Sequence, residues 1–404
     1  KIFKFVKMNK LFYTIVLLFS VPIITHAQES AVYQNTAEKL IADQGNLTIG
    51  GYGEVHYNQR LDKDVRYNGQ LDVHRIVMFL GYNFSEKTHF VSEVEYEYAK
   101  ELWVEQAYMQ HQLSNSINLQ AGLLLIPMGI INLYHEPVTF NGVERPVIDN
   151  KIAPSTWREI GIGINGTILP LTLKYQLLMV NGPVSYDGNI GLMSGSKGIR
   201  EGRQKGSKSF SSSPNFTGRV EYFGINGLNL GLSAYLGASQ SKLYDKLSKS
   251  NAAALAKADS SVVGIAMLGV DARYQRRGFE ARAQLYHSSL SNTEAYNVFT
   301  TRSGVKNDLG SAMMGYYAEV GYNVLQGIST SFNLVPFVRY MTYDTHARVS
   351  GITKKKEYSE QIFTGGLSCR INKGVVVKAD VDVAKTAAAT TWTTTFNAGV
   401  GVMF

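Results

Sequence analysis

The sequence of 404 residues predicts an all-β chain: a transmembrane antiparallel β-barrel of about 16 strands, with a long third loop folded into the lumen. Three observations predict it. Apolar and polar side chains alternate with period two in segment after segment, which places them on opposite faces of strands. A basic and then apolar N-terminus has the form of an export signal. The connections between alternating segments are by turns short and long, as outer-membrane barrels require.

Composition agrees and excludes other classes. Charged residues are 18%, below the roughly 25% of soluble domains. The single Cys excludes an internal disulfide. Cys369 lies in an alternating segment and points outward with Phe363 and Leu367. The 24 Tyr, 18 Phe and 45% hydrophobic content exclude a disordered chain. Past the N-terminus no run approaches the ~18 apolar residues of a spanning helix.

From the start, Lys1, Lys4, Lys7 and Lys10 precede an apolar run over 11–24 that ends in Thr25-His26-Ala27. Residues 1–27 are expected to be a secretory signal peptide cut after Ala27. No Cys follows that run, so no lipid anchor is expected. Removing four Lys lowers the charge from +8 to +4, 36 bases against 32 acids, and leaves no ground for a nucleic-acid partner. Residues 28–46 read as a short periplasmic helix or tail. The barrel is expected over 47–404.

Strands are expected near 47–57, 70–84, 87–99, 101–112, 116–125, 159–167, 171–181, 215–224, 227–239, 262–276, 278–290, 312–325, 329–343, 359–371, 374–386 and 394–404. The last is the clearest. Phe396, Ala398, Val400, Val402 and Phe404 share one face, and Asn397, Gly399, Gly401 and Met403 the other. An apolar face ending in Phe resembles the assembly signal of bacterial outer-membrane barrels. Leu230, Leu232 and Leu236 alternate in the same way with Asn229, Gly231, Ser233 and Tyr235. In a membrane barrel the apolar face meets lipid and the polar face lines water. Long polar connections are expected at 182–214, 240–261, 291–311 and 344–358. Ala99-Lys100 makes a tight turn on the same side, and Pro336 predicts a bulge because it removes a ladder donor.

About 16 strands enclose an aqueous lumen. Residues 126–158 form a loop unlike the other long ones. It holds four of the nine prolines (Pro127, Pro137, Pro146, Pro154) and many large apolar residues, which suit packing against an inner wall. The expected function is therefore passive diffusion of small hydrophilic solutes across a bacterial outer membrane, with this loop as the constriction.

Gly122, Pro127 and Gly129 within Leu119-Gln120-Ala121-Gly122-Leu123-Leu124-Leu125-Ile126-Pro127-Met128-Gly129, and then Glu144-Arg145-Pro146, resemble the phosphate-selective porin O and P family. In that family a GxxxxPxG step leads into the constriction loop and an ER element follows. The resemblance implies a homotrimeric channel of sixteen strands with the third loop turned inward. It also implies anion transport along inward Arg and Lys.

The polar faces carry Arg75, Lys174, Arg219, Arg273, Arg282, Arg339, Arg370 and Lys378, and the loop adds Arg145, Lys151 and Arg158. Arg suits phosphate because its planar fork donates bidentately and stays charged. Arg145 and Arg158 are the leading constriction candidates because they belong to the folded loop. Acids accompany the bases: Asp271 with Arg273, Glu280 with Arg282, Glu221 with Arg219, and a row of Glu93, Glu95 and Glu97. The expected lumen is thus mixed in sign, with most bases paired on the wall.

HExxH, CxxC and P-loop motifs are absent, and neither a cofactor nor a metal is expected. His56, His89 and His111 could approach one another, but scattered His residues assign no site. The expected partners are outer-membrane lipid, small hydrophilic or anionic solutes and, from the resemblance, two further copies of the chain. A barrel enzyme is the rival class, and no nucleophile–base spacing supports it. A second rival is a non-transporting adhesin or scaffold acting through the Ser-rich stretches 207–213 and 248–261.

Overall fold

The computed structural model describes residues 34–42 and 45–404. The expected export signal lies outside them. The chain closes into one barrel of 16 antiparallel strands. They are β1 Leu47–Leu61, β2 Gln70–Ser85, β3 Thr88–Glu97 and β4 Glu101–Ser114. Next come β5 Ile117–Leu125, β6 Arg158–Ile168, β7 Leu173–Val180 and β8 Asn215–Ile225. β9 Leu228–Ala238, β10 Gly264–Arg276, β11 Phe279–Ser291 and β12 Ala312–Tyr322 follow. β13 Asn333–Arg348, β14 Ser359–Asn372, β15 Val375–Thr386 and β16 Thr393–Met403 complete the wall. Each pairs with its chain neighbours, and β16 returns to β1 with Tyr52 opposite Met403.

The alternation sets which face looks in. On β9 the side chains of Leu232 and Leu236 are exposed outward, while Ser233 and Tyr235 are buried inside. On β2, Ile76, Met78 and Leu80 face out, and Arg75, Val77 and Phe79 face in. Such an apolar exterior around a polar interior is the inverse of a soluble sandwich and matches a surface made for hydrocarbon.

One rim carries short links, at 86–87, 115–116, 169–172, 226–227, 277–278 and 373–374, and one of ten residues at 323–332. The other carries the long ones: 126–157, 181–214, 239–263, 292–311 and 349–358. Within 239–263 the Ser-rich stretch holds a helix, Ala252–Ser260, because Ala is the best helix former and Asn251 caps it by accepting from the Ala254 N–H at 3.0 Å. The helix Thr36–Ala42 leans on the inner wall at the short-link rim, with Leu40 against Tyr52, Val77 and Phe79.

Pro336 corrects one expectation. It sits opposite Leu367 in unbroken register with β14, without a bulge. On its other edge the ladder to β12 has ended at Gly321 opposite Phe337, so no donor is missed there.

Candidate functional site

Residues 126–157 turn into the lumen and divide it. Their apolar side chains pack on the wall: Ile126, Met128, Ile148, Ile152 and Trp157 join Tyr235, Tyr286, Tyr317 and Met341 in one buried cluster. The turn inward depends on Gly129. Its φ is +67°, and a Cβ there would collide with the Tyr286 hydroxyl. The Ile130 N–H then donates to Gln284 at 2.6 Å, and the Tyr286 hydroxyl oxygen stands 3.2 Å from Met128 O. Asn132 closes the loop's base. Its amide donates to Ile126 O at 2.6 Å and Trp157 O at 2.9 Å, and its oxygen accepts the Trp157 N–H at 2.8 Å.

The far stretch of the loop, 139–144, is held by charges of the opposite wall. Arg282 donates to Thr139 O. Arg370 donates to Asn141 at 2.7 Å, and Lys378 to Gly142 O at 2.9 Å. Asp380 accepts the Val143 N–H at 2.6 Å, and Arg339 donates to Glu144 O at 3.2 Å. Loop backbone inside a barrel has unpaired amides and carbonyls, and these side chains satisfy them.

Wall carboxylates pair with the Arg residues among these bases, though not with Lys378. Arg339 pairs with Glu319 at 2.6 Å, and Arg282 lies 3.6 Å from that acid. Arg370 pairs with Glu280 at 2.5 Å and Arg75 with Glu54 at 2.7 Å. Arg273 meets Glu221 at 2.8 Å and lies over the Tyr134 ring at 4.2 Å. Arg219 grips Asp271 bidentately at 2.5 and 2.8 Å. That bond passes over Gly231 on the intervening β9, where any Cβ would meet the guanidinium. Lys174 pairs with Glu38 of the inner helix at 2.6 Å. The inward bases are therefore clamps between wall and loop more than a bare ladder.

The two loop candidates separate. Arg158 opens β6, is 2% exposed, and lies 3.5 Å from Glu105 and 6.0 Å from the Trp103 ring centroid. Arg145 lines the cavity on the long-loop side and donates to His135 O at 3.0 Å. Lys151 is half-buried and reaches Ser196 O at 3.4 Å.

Three bases that sequence reasoning passed over join them from the connection 181–214. Arg200 donates to the Ser155 hydroxyl at 3.2 Å, and Arg203 to Ser155 O. Lys205 sits 3.9 Å over the Trp103 ring. Among the described residues, Arg145, Lys151, Arg200, Arg203 and Lys205 have no carboxylate oxygen within 4.0 Å. Burial first, and then Arg200 and Arg158, press the Arg203 guanidinium down to about 9. Burial followed by Arg203 and Arg158 lowers Lys205 too. These cations thus lower one another, while Glu97, Glu105 and Glu201 act on them in the opposite direction.

Two acids of the row Glu93, Glu95 and Glu97 are paired, and the third, Glu97, borders the same cavity as Arg145 and Arg200. Glu95 faces Arg75 at 3.3 Å, and Glu93 faces His135 at 3.1 Å. The expected approach of His56 to His89 and His111 is replaced by another. His89 bonds Asn83 at 2.7 Å and His111 bonds Thr88 at 2.9 Å, whereas His56 stacks on His74 at 4.2 Å. Glu144 of the loop accepts from His56 at 3.0 Å and Asn58 at 3.1 Å. Burial opposes its charge, yet the His56 contact holds its carboxyl down at about 2.

No family model matches the chain. It is 33% identical over 359 residues to an uncharacterized protein of Aquifex aeolicus (strain VF5), covering 85% of this chain and 77% of that one. Among solved structures it resembles an anion-selective porin from Comamonas acidovorans, with TM-score 0.55 and 10% identity over 89% of this chain and 99% of that one. It also resembles Salmonella typhi OmpF in complex with daunomycin, with TM-score 0.57 and 11% identity over 89% and 97%. At such identities the likeness concerns the fold: the chain has the closed barrel of outer-membrane porins.

Proposed function

The chain belongs to the family of the Aquifex aeolicus protein, and from the barrel it forms we propose that it is a bacterial outer-membrane channel for passive diffusion of small hydrophilic solutes, with a preference for anions. One observation carries the preference. The wall Arg residues each lie within 4.0 Å of a wall acid, whereas Arg145, Lys151, Arg200, Arg203 and Lys205 around the inward loop, and among wall bases Lys378, have no carboxylate that close among the described residues. The field met by a permeating ion is thus set chiefly by the five loop cations that no acid contacts directly. Their donors suit phosphate and carboxylate groups. This reading agrees with the sequence resemblance to phosphate-selective porins, and with it we propose phosphate as the preferred oxyanion and a homotrimer as the assembly. The apolar exterior supports placement in lipid, and the deep polar lumen supports transport rather than catalysis.

Reversal potentials in a salt gradient across a planar bilayer test it. The native protein should favour anions. One charge about 10 Å from a permeating ion contributes a few tenths of a kcal/mol after screening at 0.1 M salt. The variant Arg200→Gln/Arg203→Gln/Lys205→Gln should therefore lower the anion-to-cation permeability ratio by about two- to fivefold. Cation preference in the native protein, or an unchanged ratio in the variant, refutes the proposal. Absence of conductance steps in both refutes the channel itself.

A further inference from the structure

Between the inward loop and the short-link rim, one stretch of the inner wall is built from primary amides. Gln112 on β4, Asn118 on β5, Asn165 on β6 and Gln176 on β7 stand opposite one another in a single row across four strands. Gln110 and Gln120 form the neighbouring row. All six line one cavity, bordered also by Glu38 of the helix Thr36–Ala42 and by Tyr134 of the inward loop. Its volume is about 220 Å3, an order of magnitude more than one water needs.

Five of the six amides form a relay. Gln176 donates to Gln120 at 3.2 Å, and Gln120 to Gln110 at 2.9 Å. Asn118 donates to Asn165 at 2.8 Å, and Asn165 to Gln110 at 3.1 Å. Strand register sets the spacing of these groups and the relay sets their orientation, so the wall is ordered before a solute reaches it. The charges at its edge are compensated. Glu38 pairs with Lys174 at 2.6 Å, and Arg219 is held by Asp271 and Glu221. Each primary amide has two N–H donors and two acceptor lone pairs. The relay uses four N–H groups and four lone pairs, which leaves donors and acceptors in equal number. None of the remaining amide atoms is both buried and without a partner, so they open on the cavity.

Such a wall discriminates by chemistry and not by sign. An anion finds donors but also lone pairs that repel it, and a cation finds the reverse. A hydroxyl group donates and accepts at once, and matches a surface that offers both side by side. We propose that this amide wall is a binding subsite for a neutral polyhydroxylated solute of the monosaccharide class, held by Gln110, Gln120, Asn118, Asn165 and Gln176. The proposal rests on the channel reading for the route by which the solute arrives; the binding itself requires no conductance. Within that reading, the cations on the long-loop side of the inward loop sort solutes by charge, and the amides on its other side retain those with many hydroxyls.

Binding of D-glucose to the detergent-folded chain tests it, measured by saturation-transfer NMR in a detergent without a sugar headgroup. A solute of this size should saturate with a dissociation constant on the order of millimolar, and equimolar inorganic phosphate should not displace it. Gln110→Leu/Gln120→Leu keeps side-chain volume and removes two amides, so binding should weaken about tenfold. Gln59→Leu, at the opposite rim, should bind as the native protein does. Absence of saturation by about 100 mM glucose overturns the subsite. So does binding that yields to phosphate, survives the double substitution or falls equally in Gln59→Leu. Folding of each variant is checked by its heat-modifiable shift on a gel. If the double variant fails to fold, Gln176→Leu at the half-buried end of the relay decides: about threefold weaker binding is expected, and unchanged binding overturns the subsite. Saturable glucose binding without conductance steps in a bilayer would uphold the subsite and fail the channel; steps without glucose binding would do the reverse.

Discussion

Replacing Glu319 by Gln should release the inward loop without opening the barrel. Glu319 is 2% exposed and Arg339 is 3% exposed, and their charged atoms stand 2.6 Å apart. Glu319 also lies 3.6 Å from Arg282 and accepts from Asn141 of the loop at 3.1 Å. Removing one member of a buried pair costs about 3–5 kcal/mol, because the other charge is stranded. Arg339 keeps its bond to Glu144 O at 3.2 Å and borders the cavity, so about 3 kcal/mol is expected. At 1.4 kcal/mol per decade this multiplies the undocked loop population about 100-fold. The amide of Val143, held by Asp380 at 2.6 Å, reports that population by hydrogen exchange. Its protection should fall about 100-fold while the amides of β8–β10 keep theirs. The double variant Glu319→Gln/Arg339→Met should recover most of the loss, since no lone charge stays buried. Unchanged protection at Val143 in the single variant, or a double variant as unprotected as the single, refutes the clamp.

Two further outcomes follow from the same geometry. Asp149 accepts from Tyr286 at 2.7 Å and Gln284 at 2.8 Å, and burial pushes its carboxyl up to about 7 despite those bonds. A raised carboxyl makes docking strongest below its ordinary value of 3.8 and weaker as pH rises through 7. Amides 147–152 should therefore be better protected at pH 5.5 than at 8.5 after correction for intrinsic exchange, and Asp149→Asn should flatten that difference; equal native protection at both pH values contradicts it. On the exterior, Leu232 is 52% exposed in the middle of β9. Leu232→Arg should cost about 2–4 kcal/mol in denaturant titrations of vesicle-folded protein, the midplane penalty for a cation in lipid. A cost near zero would mean that this flank does not meet hydrocarbon.

The strands were legible because period two is a local property: each apolar face, such as Leu230, Leu232 and Leu236, needs no knowledge of its neighbours. The inward loop was legible for a related reason, since Ile126, Met128 and Trp157 are costly in a solvated loop. The pairing of the bases was not. Arg219 finds Asp271 across an intervening strand, which depends on the register of β8–β10 and on Gly231 being bare. His56 finds His74 because β1 and β2 slip register between Glu54 and Val55, bringing His56 opposite Asp72. Period two cannot see such a slip. Arg200, Arg203 and Lys205 were present as a basic run, but nothing local says that a polar loop bends toward the loop inside the barrel.

Under the proposed anion preference, that division of the charges lets one lumen be strongly held and still favour one sign of ion. A base on a strand has a fixed position, and an acid two residues away or one strand over shares its face. Such bases pair readily, as Arg75 does with Glu54 and Arg339 with Glu319 on the adjoining strand. Their charge is cancelled at short range, and what remains is directional hydrogen bonding that secures loop backbone. A base on a long connection has no face-sharing acid at a fixed spacing. Arg200 and Arg203 instead bond neutral acceptors at Ser155, which hold the cation without cancelling it. Mechanical fixation and electrostatic selection are thereby assigned to different elements of the chain. Substitutions on strands should change loop docking with little effect on selectivity, and substitutions on the connection 181–214 should do the reverse.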